Sequence, residues 1–240
     1  MRARAIQRDQ LDCCDRDRMF SLLSKHFAGV VRQVFDSDLG EKNWVILVEN
    51  EEGRLVGFST ILQYESEYAG ETFNVIYSGD TIMDRSAWRS FCLPRAWIKT
   101  VREIYRRDQS RRLVWLLITS GYRTYRFLPV FWKQYYPRYD RDTPSDVSEI
   151  MHHLARERFG DKYAQDLGIV RFEHPHRLID ELAGVPEGRL SDPHVAYFNQ
   201  LNPGHIRGDE LVCLAEINDD NLSAAGRRML SSGLASRKIA

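Results

Sequence analysis

The stretch YSGDTIMDRSAWRSFCLP at residues 77–94 closes a strand-like run and leads at once into the helical spacing of RAWIKTVREIYRR. A loop that feeds a strand into a helix N-terminus suits two chemistries: its N–H groups and the helix dipole hold a phosphate, or they lower the pKa of a thiol. Residues for both are present. Arg85, Arg89 and Arg95 bracket Ser90, Phe91, Cys92 and Leu93, while Cys92, two positions before Pro94, stands at the helix start. With a histidine such as His205 as base, Cys92 would be the nucleophile of a thioester hydrolase or a ping-pong transferase. The later segment YFNQLNPGHIRGDELVC gathers His205, Arg207, Asp209 and Glu210 where a turn enters a strand, a placement that suits a substrate-binding loop. His152 with His153, and His174 with His176, lack the cysteine or carboxylate spacing of a metal site, so no metal is expected.

Charge supports the anion reading. Residues 85–141 hold 14 Lys and Arg against three acids, Glu103, Asp108 and Asp140, a local +11 in a chain of net charge zero. The remainder therefore carries −11. Zero net charge gives no general case for nucleic acid, and a local basic block points to an anionic ligand or an acidic partner. The 240 residues are 43% apolar, enough for a sizeable core. No run has the length of a membrane span, and MRARAIQRDQ lacks the apolar centre of a signal peptide, so a cytoplasmic protein is expected. The four cysteines show no zinc spacing and are expected as free thiols.

The elements that would position these residues follow from periodicity. DRDRMFSLLSKHFAGVVRQVF sets Met19, Leu22, Leu23, His26, Phe27, Val30, Val31 and Val34 on one helical stripe, giving one or two N-terminal helices. WVILVEN, the turn EEGR and LVGFSTILQY form a hairpin, and after a turn near AGET, FNVIYSGDTIM is a third antiparallel strand. A helix over 94–107 sets Trp97, Ile98, Val101, Ile104 and Tyr105 on one buried face, RLVWLLITS is a buried strand, and RTYRFLPVFWKQYYP is an aromatic helix or helix pair broken at Pro129. Residues 140–200 read as an extension, residues 209–217 as a late strand rejoining the sheet, and the end as a short helix with a tail. The expectation is one α/β (α+β) domain: a mixed, mostly antiparallel sheet flanked by helices, with its core over about 15–137 and the late strand.

This order of elements over residues 15–137 resembles the GNAT superfamily of acyltransferases. In that family the central strand enters a loop whose amides cap the pyrophosphate of coenzyme A, and here DRSAWRSFCLP takes the place of that loop. The family pattern is Arg or Gln, two variable residues, Gly, a variable residue, then Gly or Ala. Arg89 matches its first position, and Cys92 and Pro94 stand where the small residues belong. Glycine allows the backbone to approach a diphosphate closely, so its absence changes how the loop can hold one.

The resemblance implies transfer of an acyl group from a thioester, on coenzyme A or on the phosphopantetheine of an acyl carrier protein, to a small-molecule or peptide amine. Residues 89–93 with Arg85, Arg89 and Arg95 would bind the donor, and backbone N–H groups near Tyr77 to Thr81 would polarise the thioester carbonyl. Asp80 and Glu65 become candidate general bases. Trp132 occupies the position where the family often has a tyrosine acid, which leaves Tyr125, Tyr135 or Tyr136 for that role. Lys99, Arg102, Arg106 and Arg107 on the basic helix would dock an acidic carrier protein. The alternatives are a non-catalytic module of the same fold that binds an acidic partner or an acyl chain, and the Cys92-dependent hydrolase.

Overall fold

Turn chemistry fixes the register of the central strands. The computed structural model describes residues 1–231, apart from the side chains at positions 180 and 181. In chain order its elements begin with β1 (Arg2–Gln7), α1 (Cys13–His26), β2 (Phe27–Ala28), α2 (Arg32–Glu41), β3 (Trp44–Glu49), β4 (Leu55–Tyr68) and β5 (Glu71–Met83). They continue with α3 (Cys92–Arg107), β6 (Leu113–Thr119), α4 (Tyr122–Tyr125), α5 (Phe127–Phe131), α6 (Ser145–Phe159), β7 (Tyr163–Ala164), β8 (Ile169–Val170) and β9 (Arg177–Leu178). Last come α7 (Asp180–Ala183), α8 (Pro193–Leu201), β10 (Glu210–Glu216) and α9 (Ala224–Ser231). Between β3 and β4 the Asn50 side chain accepts from the N–H of Glu52 and of Arg54. Between β4 and β5, Ala69 and Gly70 both take positive φ, the conformation of a tight two-residue hairpin turn.

The main sheet runs β1-β3-β4-β5-β6-β10-β8-β7. All its pairs are antiparallel except β5 with β6, which are parallel and connected through α3. The chain thus has the expected mixed, mostly antiparallel sheet, with one parallel pair, β5 and β6, at its centre. Strand β1 is an addition to the sequence reading. Its residues are exposed or half-buried on the sheet edge, so they carry no apolar run by which a strand is recognised.

Helices cover both faces. Ile46, Ile61, Ile76, Trp115 and Cys213 look towards α3, α5, α8 and α9, where the indoles of Trp97, Trp115 and Trp132 meet at centroid distances of 4.4 to 5.7 Å. On the other face Val45, Leu47 and Phe58 pack with Met19, Leu23 and Phe35 of α1 and α2, and Val75, Leu116 and Val212 pack with Ile150 and Leu154 of α6. Residues 140–200, expected as an extension, therefore supply a helix to each face, α6 to one and α8 to the other.

The N-terminal stripe is interrupted. Asp12 caps α1 by accepting the Asp15 N–H at 2.6 Å, but the helix stops at His26, and Gly29 at φ +84° turns the chain before α2. Val31 and Val34, expected in the core, are 52% and 54% exposed as a result. The aromatic pair breaks at Arg126, not at Pro129, which lies in the first turn of α5 where a missing N–H is tolerated. The C-terminal helix is α9; the expected tail lies outside the described residues.

Candidate active site

The parallel pairing of β5 and β6 ends at Ser78 and Leu117. Beyond it β5 stays with β4 and β6 stays with β10, so the two central strands part. A break in β5 accompanies the parting. Ser59 faces Thr81 and Ile61 faces Ser78, which leaves Thr60 alone opposite both Gly79 and Asp80: a β-bulge. The extra residue shifts the alternation, so that Tyr77 and Ile82 look to the same face of the sheet although five positions apart. Glycine is needed at the bulge, since a Cβ on Gly79 would stand 2.6 Å from both Lys42 Cε and Thr60 Oγ1.

The gap between the strands is a cavity of about 750 Å³. Tyr77, Gly79 and Asp80 of β5 and Glu210 of β10 line its inner end, with Asp38 of α2. Its mouth is formed by Arg85, Trp88, Arg89, Ser90 and Leu93 ahead of and within α3, and by Tyr122 and Arg123 of α4. Segment 172–189 roofs it with Phe172, His174, His176, Leu178 and Arg189. The roof is tied down where β9 pairs with β2 and the Ile179 N–H donates to the His26 carbonyl at 3.0 Å.

The inner end is acidic and shielded. Burial, with the neighbouring Asp38 charge, pushes the Asp80 carboxyl up to about 7, against the pull of Lys42. Burial and the charges of Asp80 and Asp38 raise Glu210 to about 8. Both side chains retain contact with the cavity while protein encloses them on every other side, which is why they are half-buried by surface yet strongly desolvated. Tyr77, 7% exposed, is raised well above an ordinary phenol by burial. Lys42 has a fully buried side chain and donates to Asp38 Oδ1 at 2.5 Å and to the Asp38 carbonyl at 3.2 Å.

The mouth is basic. Trp88 is fixed by an indole N–H to the Met83 carbonyl at 2.8 Å, and the guanidinium groups of Arg123 and Arg85 lie 4.1 and 5.7 Å from its ring centre. Burial lowers the Arg123 pKa, and the like charges of Arg189 and Arg85 lower it further. Arg126 is neutralised by Asp192 at 3.1 Å.

The structure brings some of the sequence candidates to the cavity and removes others. Asp80, Arg85, Arg89, Ser90, Leu93 and Glu210 line it. Phe91 points outward at 58% exposure, and Arg95 lies off the cavity wall. Cys92 is also off the wall: its N–H donates to Ser90 Oγ at 3.1 Å and its Sγ faces the Met1 carbonyl at 3.6 Å, with no histidine beside it. Glu65 belongs to the other end of the sheet. It pairs in register with Asn74, six positions before Asp80 and so roughly 20 Å along the strand, and forms an ion pair with Arg111.

The aromatic candidates are core residues. Tyr125 is fully buried and donates to the Pro137 carbonyl at 2.9 Å, Tyr135 meets His194 Nδ1 at 2.8 Å, and burial raises both phenols. Tyr136 forms a bridge with Leu214 in place of facing the cavity. Of the late cluster only Glu210 reaches the site. His205 is buried against the Asn202 carbonyl at 2.8 Å, Asp209 binds Arg171 at 3.1 Å, and Arg207 is exposed. The basic end of α3 is also remote: Lys99 to Arg107 lie roughly 10 to 22 Å along the axis from Cys92, and Arg102 is engaged by Asp219 at 2.6 and 2.9 Å. Among the described residues no metal-ligating cluster is present.

Sequence reading missed Asp38, Lys42, Trp88, Arg123 and Arg189. Gly79 inside an apolar strand was the available signal for the bulge, because an isolated glycine in a strand marks a bulge or a close approach. No protein-family model and no curated protein sequence matches the chain. Among solved structures it is similar to an Enterococcus faecalis protein described as a probable N-acyltransferase, at 14% identity over 52% of this chain with a TM-score of 0.39. That match spans 31% of the Enterococcus protein. It is also similar to an Escherichia coli GNAT family N-acetyltransferase in complex with CoA, at 16% identity over 53% of this chain and 68% of that one, with a TM-score of 0.37. A third match is glucosamine-6-phosphate N-acetyltransferase from Arabidopsis thaliana, at 12% identity over 49% of this chain and 82% of that one, with a TM-score of 0.35. Among the described residues no helix is long and apolar enough to cross a membrane.

Proposed function

We propose that the protein transfers an acyl group from a coenzyme A thioester to an amine in the cavity between β5 and β6. The observation that carries this reading is Asp80: a carboxylate beside the bulge, at the point where the strands part, poised near neutrality. A bulge leaves strand N–H groups out of the ladder, and such groups at residues 79–80 are suited to polarise a thioester carbonyl. The amine, entering as an ammonium, gives one proton to Asp80 and attacks the carbonyl carbon. The C–N bond forms, the C–S bond breaks, and the thiolate leaves towards the mouth taking up the second proton that the nitrogen sheds. Arg85, Arg89 and Arg123 suit the donor's phosphates, held by side-chain forks where the loop lacks its glycines.

Free coenzyme A is favoured over a carrier protein because the arginines of the mouth lie on the cavity, whereas the basic end of α3 is distant from it. The position of Cys92 away from the cavity disfavours the hydrolase reading. The test is calorimetric titration with CoA and acetyl-CoA, followed by thiol release from acetyl-CoA with a panel of amines. Binding with amine-dependent thiol release is the expected result. If no thioester, free or carrier-linked, binds or turns over, the reading is lost and a non-catalytic module remains.

A further inference from the structure

We propose that the inner end of the cavity receives an acceptor with two cationic nitrogens: a small aliphatic amine whose second ammonium binds at Glu210 while the first is deprotonated at Asp80. This deepens the acyltransferase reading and rests on it for the reaction, though not for the binding.

The cavity is divided by charge. Arginines form the mouth, while three separate elements send carboxylates to the inner end: Asp38 from α2, Asp80 from β5 and Glu210 from β10. The ammonium beside them, Lys42, is committed to Asp38 through two hydrogen bonds. Arg158 lies over the Tyr77 ring, but its guanidinium pairs with Glu41. His176, also on the cavity, is held towards its neutral form by burial. Neither Asp80 nor Glu210 has a hydrogen-bond partner among the described residues. Independently of these acids, Tyr77 lines the cavity at 7% exposure, and its hydroxyl makes no hydrogen bond among the described residues. A buried phenol without a partner, on the wall of an accessible cavity, marks the place of a polar ligand.

Two carboxyls and a phenol supply acceptors, and an alkylammonium supplies three donors and a charge but accepts nothing. A carboxylate-bearing acceptor would meet repulsion there. Burial raises Asp80 to about 7 and Glu210 to about 8, so near neutrality each carboxyl is partly protonated; Asp38, Lys42, Tyr77, Arg158 and His176 surround them. Seating cationic nitrogens favours the ionised carboxylates, so their pKa values fall and binding at neutral pH releases protons.

The experiment titrates putrescine, butylamine and γ-aminobutyrate into the full chain, with and without CoA, at neutral pH in two buffers of different ionisation enthalpy. Putrescine is expected to bind about tenfold or more tighter than butylamine, with net proton release. Glu210→Gln, which replaces a largely neutral acid by a near-isosteric amide and so preserves the fold, is expected to bring putrescine to the butylamine level. Equal affinity for the two amines, proton uptake, or a putrescine affinity unchanged by Glu210→Gln would overturn the inference. Preferential acetylation of butylamine would overturn it while the acyltransferase reading stands. Tight putrescine binding with proton release but no thiol release from acetyl-CoA would uphold the diamine site and end the acyltransferase reading.

Discussion

The two halves of β5 differ in one respect that governs everything else about them. From Asn74 to Ser78 the strand is paired on both sides, and Val75 and Ile76 disappear into the two cores. From Gly79 onward only β4 remains beside it, and Gly79, Asp80 and Thr81 line a cavity. Glu65 on β4, opposite the paired half, is a solvated acid tied to Arg111; Asp80 on the unpaired half is desolvated and poised to exchange a proton near neutrality. The same carboxyl chemistry meets two different environments, set by the place where a neighbouring strand departs.

The largest expected effect breaks that contrast directly. Asp80→Asn should lower kcat/KM for acyl transfer by about a hundredfold or more, as loss of a general base does, while Glu65→Gln should stay within about twofold in the same thiol-release assay. Equal losses in both variants would place the chemistry elsewhere. A smaller effect is expected at the bulge. Gly79→Ala should destabilise the fold by about 1–3 kcal/mol, because Lys42 and Thr60 occupy the space its methyl needs, and urea unfolding measures it. At the mouth, Arg123→Ala should weaken CoA about tenfold by calorimetry, an effect that shrinks as salt rises.

The pH dependence tests the same half-strand. kcat/KM should rise with pH through about 7 as the Asp80 carboxylate forms. Stability should move oppositely. A carboxyl whose folded pKa is raised leaves the folded state holding the proton that the unfolded chain releases, so the contribution is present below the unfolded value and is lost as pH rises through about 7. Thermal melts of wild type against Asp80→Asn across that window should converge at the acidic end and diverge above it. The smallest effect belongs far from the cavity: Gly40→Ala, in α2 with open space around it, should stabilise by roughly 0.5–1 kcal/mol.

Much of the framework was legible because periodicity records local burial. The hairpin of β3 and β4, the buried run of β6, the amphipathic face of α3 and the late strand β10 each follow from apolar spacing that a sheet or helix face enforces. The polar edge strand β1 escaped because one exposed ladder asks little of its side chains. The expected stripe through Val31 and Val34 failed because Gly29 turns the chain between two helices that periodicity alone had joined.

For the site, types and region were readable but membership was not. The arginine-rich block, the loop into α3 and Asp80 stood out by composition and position, whereas Cys92, Tyr125 and Tyr135 were equally plausible chemists until packing turned them towards Met1, Pro137 and His194. The sequence by itself determined the order of strands and helices and where positive charge accumulates, since both are carried by neighbouring residues. Only the tertiary structure decided that Asp38, Asp80 and Glu210, distant in the chain, share one shielded pocket, because the raised pKa values of Asp80 and Glu210 depend on desolvation and on charges that long-range folding brings within reach.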